Sequence, residues 1–180
     1  MDRRAFLQQG AGVILLASPL QSQASPTQKF WTQDRSIWLT RPESGEQIKE
    51  TFWADGQIQK DGYMKICRIM RDIRQNQTIL MQPGLLNLWW AMQETVATYY
   101  RRQPGILLSG HRTVKTNNAL ENAAKQSLHI YGAAADLRYE RVPIPDLFNV
   151  ANYFKAGGVG YYPGSKFIHI DIGRRRFWKG

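Results

Sequence analysis

Apolar and polar positions alternate along the chain in two distinct ways, and together they outline its elements. "SIWLT" (36–40) and "IKETFW" (48–53) read as strands, with the turn signal "RPESGE" between them and a second turn at "ADGQ". From Gly62 to Arg74 the apolar residues Met64, Ile66, Cys67, Ile69, Met70 and Ile73 recur at helical spacing. A second helix begins near Pro83, a good first-turn residue, runs through "GLLNLWWAMQETVATYYRR" and stops at Pro104 and Gly105. "ILLS" is a short buried strand, and "GHRTVKTNNALENAAKQ" is a polar loop with one helical turn. "AAADLRY" is a strand, and "IPDLFNVANYFKAGG" is a helix ending at Gly157 and Gly158. "VGYY" and "FIHIDIG" are strands joined as a hairpin by "PGSK". There is no repeat and no βαβ alternation. The pattern predicts an α+β fold, a small antiparallel sheet packed against helices.

The first 24 residues read as an address rather than as fold. A basic head with Arg3 and Arg4, the short apolar run "AGVILLASPL" and the small residues Ser22 and Ala24 make a signal peptide. The apolar run is too short to span a bilayer as a permanent helix. Phe6 and Leu7 after the paired arginines match the twin-arginine signal, which predicts the twin-arginine export machinery as a partner and a periplasmic or cell-envelope location. An ordinary secretory signal and retention as an uncleaved anchor are the alternatives. Residues 25–35 are polar and read as a linker, leaving 36–180 as one domain.

Composition narrows the partners. The net charge is +10, from 24 Lys and Arg against 14 Asp and Glu. Such a balance favours polyanions: nucleic acid, an anionic membrane surface or a cell-wall polymer. An export signal and the lack of any helix-turn-helix, RRM or zinc-finger pattern argue against nucleic acid. With Cys67 the only cysteine, no intramolecular disulfide forms, and its place in an apolar helical stripe makes it a buried thiol rather than a nucleophile.

The candidate chemistry lies in "SLHIYGAAAD" (127–136) and "FIHID" (167–171). Side chains alternate across a strand, so Phe167, His169 and Asp171 share one face, while Ile168, Ile170 and Ile172 share the core face. Asp136 shares a face with Ala134 and Arg138. If the two strands neighbour each other, Asp136 and His169 converge, and His129 joins them from the preceding loop, with Gly132 allowing a tight turn. Two imidazoles and a carboxylate suit zinc and leave a fourth position for water, a catalytic arrangement. The alanines leave room for substrate and supporting groups. A lone His or Asp is more often a satisfied polar residue than a ligand, so spacing alone leaves both readings open.

The same residues carry a resemblance. Ser127, His129, Gly132, Ala134 and Asp136 fill every fixed position of the S-x-H-x-x-G-x-A-x-D signature of zinc D-Ala-D-Ala carboxypeptidases and related murein peptidases. "LSGHRTVKTNNAL", "GGVGYYPGSKFIHIDIGRRRFW", "IMRDIRQNQ" and "LLNLWWAM" resemble stretches of one branch, the YcbK-like (MepK-like) zinc murein endopeptidases, over roughly residues 36 to 178. The resemblance implies a hedgehog/D-Ala-D-Ala-peptidase-like fold and one zinc ion held by His129, Asp136 and His169. It implies hydrolysis of an amide in the peptide cross-links of peptidoglycan. Arg112 occupies the family's arginine position, for a substrate carboxylate or the tetrahedral oxyanion. A carboxypeptidase, and a non-catalytic zinc or wall-binding module, are the alternatives.

Two positions depart from the pattern. His111 stands where the family usually has tyrosine, and Lys166 stands where the carboxypeptidases carry an acidic general base. Asp171, on the face of His169, is the candidate base, and its rival role is to orient a ligand histidine. Ser127 reads as a loop-orienting residue, Thr116 and Asn117 as fixing the Arg112 loop, Arg174–Arg176 as a solvated basic segment, and Trp178 as packing.

Overall fold

The computed structural model describes residues 26–121 and 124–180, so the expected signal at 1–24 lies outside the described residues. Within the 25–35 segment, Pro26–Thr32 is a short helix, α1, and the compact unit runs from Gln33 to Gly180.

The unit is α+β, but its sheet is neither small nor purely antiparallel. Among the described residues, eight strands form one mixed sheet in the order β3-β2-β1-β4-β5-β7-β6-β8. They are β1 (Arg35–Arg41), β2 (Glu46–Ala54), β3 (Gln57–Ile58), β4 (Gly105–Ser109), β5 (Ala134–Arg138), β6 (Gly158–Tyr162), β7 (Phe167–Asp171) and β8 (Arg176–Lys179). β1 runs parallel to β4, and β6 parallel to β8; the other pairs are antiparallel. The β1–β4 junction merges the N-terminal strands with the site-bearing strands into one sheet, a long-range pairing that local patterning does not reveal. β8 comes from the basic stretch that reads as solvated: its register with β6 places the C-terminus along the sheet edge.

Three helices end earlier than the sequence expectation, the second of them at Tyr99 rather than Arg102. α2 (Lys60–Ile69) stops five residues before Arg74, because Arg41, itself 3% exposed, donates to the Ile69 and Arg71 carbonyls and caps the end. The chain then closes a turn in which Asp72 and Gln77 exchange backbone hydrogen bonds. α3 (Pro83–Tyr99) buries Leu85, Leu86, Leu88, Trp89, Trp90, Met92 and Val96. Its Gln93 amide reaches β1, accepting from the Trp38 N–H and donating to the Ser36 carbonyl where β4 does not extend. α4 (Val114–Asn118) is the single turn expected in the polar loop, capped by the Thr113 hydroxyl. α5 (Ile144–Phe154) ends at Lys155, which takes the left-handed conformation, before the glycines are reached.

The strand faces follow the two-residue period. Ile168 and Ile170 on β7 are fully buried with Leu137 and Ala135 on β5, and they form the core beneath the site.

Candidate metal centre

β5 and β7 pair antiparallel with Asp136 directly opposite His169 and Ala134 opposite Asp171. That register brings the two candidate ligands together. His129 arrives from a turn in which Ala133 N–H bonds the Leu128 carbonyl and Gly132 N–H the His129 carbonyl. Gly132 stands at φ 65 with Leu80 and Met81 backbone close by, so a side chain there is strained by conformation and tightly crowded.

One atom from each residue converges. His169 Nδ1 lies 2.9 Å from Asp136 Oδ1, His129 Nε2 lies 3.3 Å from the same oxygen, and the two nitrogens are 3.2 Å apart. Their opposite ring atoms fix the tautomers. His129 Nδ1 is 2.7 Å from the Gly110 carbonyl, which only accepts, so Nδ1 carries the proton and Nε2 keeps its lone pair. His169 Nε2 is 3.0 Å from Asp171 Oδ2 and donates to it, leaving Nδ1 as the free lone pair. Three acceptors therefore face one point, an arrangement that a cation satisfies and neutral protein groups do not. The residues fit a divalent metal with nitrogen and oxygen ligands.

Electrostatics draw positive charge to the cluster: burial opposes charge on His169, but its hydrogen bonds to Asp136 and Asp171 outweigh burial and raise its pKa, so a bound cation would take the place of a proton there. Burial pushes the His129 imidazole down and keeps it neutral, the ligating form. Burial opposes ionisation of Asp136, but His129 and His169 outweigh it and hold the carboxyl well below the usual range. Asp171 behaves likewise: burial is outweighed by His169, the Gly158 N–H and Arg176.

Asp171 is surrounded by donors. Its side chain is fully buried. Oδ1 accepts from the Gly158 and Gly173 N–H groups, each at 2.9 Å, and from Arg176 Nη1 at 3.2 Å. Oδ2 accepts from His169 Nε2 at 3.0 Å and Arg176 Nη2 at 2.7 Å. Five donors occupy a carboxylate that offers about four lone-pair sites, so no acceptor capacity is left for water. The alanines serve this packing: Ala134 and Ala135 are fully buried, and they line neither cleft.

Two clefts meet at the centre. The larger, ≈ 520 Å³, is lined by the largely buried His129, Asp136 and His169 together with Ser127, Leu128, Tyr162, Phe167 and Trp178. The smaller, ≈ 270 Å³, is more polar, with Arg41, Asp72, Ser109, His111 and Thr116 in its lining. Arg112, Leu120, Asp136 and Phe167 line both. Arg112 sits at this junction, its Nη2 donating to Asp136 Oδ2 and its Nε to Ser109 Oγ at 2.7 Å. His111 is buried and donates from Nδ1 to the His129 carbonyl, so it supports the ligand loop from outside the ligand cluster. Lys166 sits in the β6–β7 turn at φ 55, away from both clefts. Trp178 does more than pack: its ring is 5.2 Å from that of His169, and its Nε1 donates to Tyr162 Oη in the cleft wall.

Sequence reasoning misses Asp72. It accepts from the Thr113 N–H at 2.8 Å and the Thr113 hydroxyl at 2.9 Å, and so fixes the loop that carries Arg112. Asn117 assists by donating to the Ala124 carbonyl. Only the acid's neighbourhood in space marks Asp72; its place in an amphipathic stripe conceals it. Glu121 is the one acid besides Asp136 among the described residues lining the larger cleft.

Comparison with known proteins places these features in a family. The family model described as peptidoglycan L,D-endopeptidase MepK matches residues 29–178. Peptidoglycan L,D-endopeptidase MepK of Escherichia coli K12 is 36% identical over 182 residues, covering 98% of this chain and 97% of the relative. A probable peptidoglycan L,D-endopeptidase MepK of Haemophilus influenzae is 38% identical over 186 residues, covering 99% and 96%. No solved structure was found to match. Because the match runs through the loop, strand and C-terminal segments that build the centre, and not through the signature alone, the chain belongs to the MepK family of peptidoglycan L,D-endopeptidases.

Proposed function

We propose that this chain is a metal-dependent murein endopeptidase that hydrolyses an L,D amide bond within the peptide cross-links of peptidoglycan, with zinc as its metal. The observation that carries this reading is the convergence of three ligand atoms, from His129, Asp136 and His169, at the point where two clefts meet. A substrate that continues on both sides of the scissile bond needs space on both sides of the metal, and the two arms supply it. A carboxypeptidase is the second reading, since Arg41 and Arg74 also line the smaller arm and supply cations for a terminal carboxylate.

When bound by His129, Asp136 and His169, zinc supplies Lewis acidity that polarises the amide carbonyl and acidifies water. The remaining work belongs to the chain. Gly110 and Asp171 hold the two imidazoles in the ligating tautomer. Arg112, anchored by Ser109 and Asp136, presents its guanidinium to the junction, where it stabilises negative charge on the carbonyl oxygen. Tyr162, Phe167 and Trp178 form an apolar wall against which one peptide strand lies. With Asp171 saturated by donors, the proton acceptor comes from the cleft wall, and Glu121 is our assignment. The net charge of +10 suits a substrate layer that is a polyanion. Export by the twin-arginine route and a periplasmic location complete the reading; among the described residues no helix is long and apolar enough to cross a membrane.

The test is a digestion. The purified, zinc-loaded chain is incubated with cross-linked peptidoglycan beside a His169→Ala control, and products are read by chromatography and mass. Conversion of dimeric to monomeric muropeptides at an L,D bond, absent in the control, is the expected result. Release of single terminal residues with dimers intact makes the chain a carboxypeptidase, and no product at full zinc occupancy makes it a binding module.

A further inference from the structure

The segment Arg174–Arg176 reads in sequence as solvated charge, but its third residue is built into the site. β8 pairs with β6 so that Arg176 lies opposite Gly158. From there its guanidinium grips both oxygens of the buried Asp171, Nη2 to Oδ2 at 2.7 Å and Nη1 to Oδ1 at 3.2 Å. The same guanidinium lies 5.0 Å from the Trp178 ring, and Nη1 also donates to the Arg174 carbonyl at 3.0 Å. A Cβ at Gly158 would stand 2.5 Å from both Arg176 Nη1 and Asp171 Oδ2, so the backbone leaves a cradle that only glycine permits. Arg174 and Arg175 line neither cleft, whereas Arg176 lines the larger one.

We infer that Arg176 is a positioning residue of the metal centre: it clamps the Asp171 carboxylate, which in turn sets the ring orientation and tautomer of His169. The inference rests on the reading that His129, Asp136 and His169 hold the metal. Its physical content is a chain of contacts with one weak point. Without the guanidinium, Asp171 Oδ1 keeps two backbone donors, while Oδ2 keeps His169 alone. The carboxylate is then free to pivot about Oδ1, and His169 loses its fixed partner. The bidentate fork is a property of arginine; lysine supplies the charge from a single point and reproduces it in part. Through β8, the C-terminal strand becomes a component of the site rather than an edge ornament.

The experiment uses the full chain and reads zinc affinity by competition with a chromophoric chelator, together with kcat and KM on cross-linked muropeptides. Four variants are compared with wild type: Arg176→Gln, Arg176→Lys, Asp171→Asn and Arg175→Gln. Thermal unfolding of each metal-free variant establishes that it is folded. Partners of metal ligands typically contribute about 10–100-fold in affinity. Arg176→Gln is expected to weaken zinc binding about 10-fold, at the low end because it acts through Asp171. Arg176→Lys should fall between it and wild type, and Arg175→Gln, with the same charge change, should match wild type. If Asp171→Asn weakens binding while Arg176→Gln matches Arg175→Gln, the inference about Arg176 is wrong and the metal reading stands. A raised KM with unchanged zinc affinity in Arg176→Gln makes it a substrate contact and overturns the positioning role. Failure of wild type to bind zinc overturns the underlying reading itself.

Discussion

Replacing Asp72 with asparagine should uncouple the Arg112 loop from the domain and remove a defined part of the acid sensitivity of folding. Asp72 is only 2% exposed and accepts from Thr113 N–H, Thr113 Oγ and Gln75 N–H. Burial works against its ionisation, but hydrogen bonding from the Thr116 hydroxyl, followed by Thr113 and Gln75, prevails and lowers its pKa from 3.8 to about 2. Because the folded-state value is depressed, the stabilisation is fully present above the unfolded value near 3.8 and is lost as pH falls toward about 2. A shift of this size corresponds to about 2 kcal/mol at neutral pH. For a domain of this size that is a fall in Tm of roughly 4–8 °C. The measurement is a pair of urea titrations, wild type and Asp72→Asn, repeated from pH 6 down to pH 2. Other carboxylates with depressed pKa values, Asp136 and Asp171 among them, titrate in both proteins and cancel in the difference. The difference should be about 2 kcal/mol at pH 6 and should shrink toward zero by pH 2. A difference that stays constant across the range would show that Asp72 acts by shape and not by charge. A difference below about 0.5 kcal/mol at pH 6, the level of an ordinary surface substitution, would refute the argument entirely.

Three other outcomes follow from the same geometry. Gln93→Leu strips partners from the Trp38 N–H and the Ser36 carbonyl and should cost about 2 kcal/mol in a urea titration; a loss below about 0.5 kcal/mol would mean that water replaces the amide. Glu121→Gln should lower kcat at least ~100-fold with zinc affinity unchanged, and an unaltered rate would move the proton acceptor elsewhere. Stripping the metal with a chelator should lower Tm by about 5–10 °C relative to protein in zinc at 100 times its Kd, since that occupancy is worth about 2.7 kcal/mol. His169→Ala should abolish this metal-dependent difference, and its persistence would place the metal at other ligands.

The contrast between what the sequence reveals and what it hides has a physical pattern. A two-residue period separates Ile168 and Ile170, which are buried in the core, from His169 and Asp171 on the site face, and it needs only local geometry. Register is non-local, yet the direct pairing of Asp136 with His169 satisfies the condition on which the ligand set depends. What stays hidden is fixed by side chains that reach backbone groups far along the chain. Arg41 ends α2 twenty-eight positions away, Gln93 completes β1 across fifty-five, and Asp72 holds Thr113 across forty-one. The polar-rim appearance of Arg176 fails for the same reason, because only the β6–β8 register shows what it faces.

Asp171 illustrates the limit most sharply. Strand alternation places it on the face of His169, and that face alone serves a base and an orienting partner equally well. The decision turns on donors from three separate segments: Gly158 at the start of β6, Gly173 after β7 and Arg176 on β8. A carboxylate within reach of a metal centre acts as a base through an unfilled acceptor site, and the five donors around Asp171 support the orienting role we propose for it. A face shared along a strand therefore identifies which residues belong to a centre, while the count of donors around each one decides what it does there.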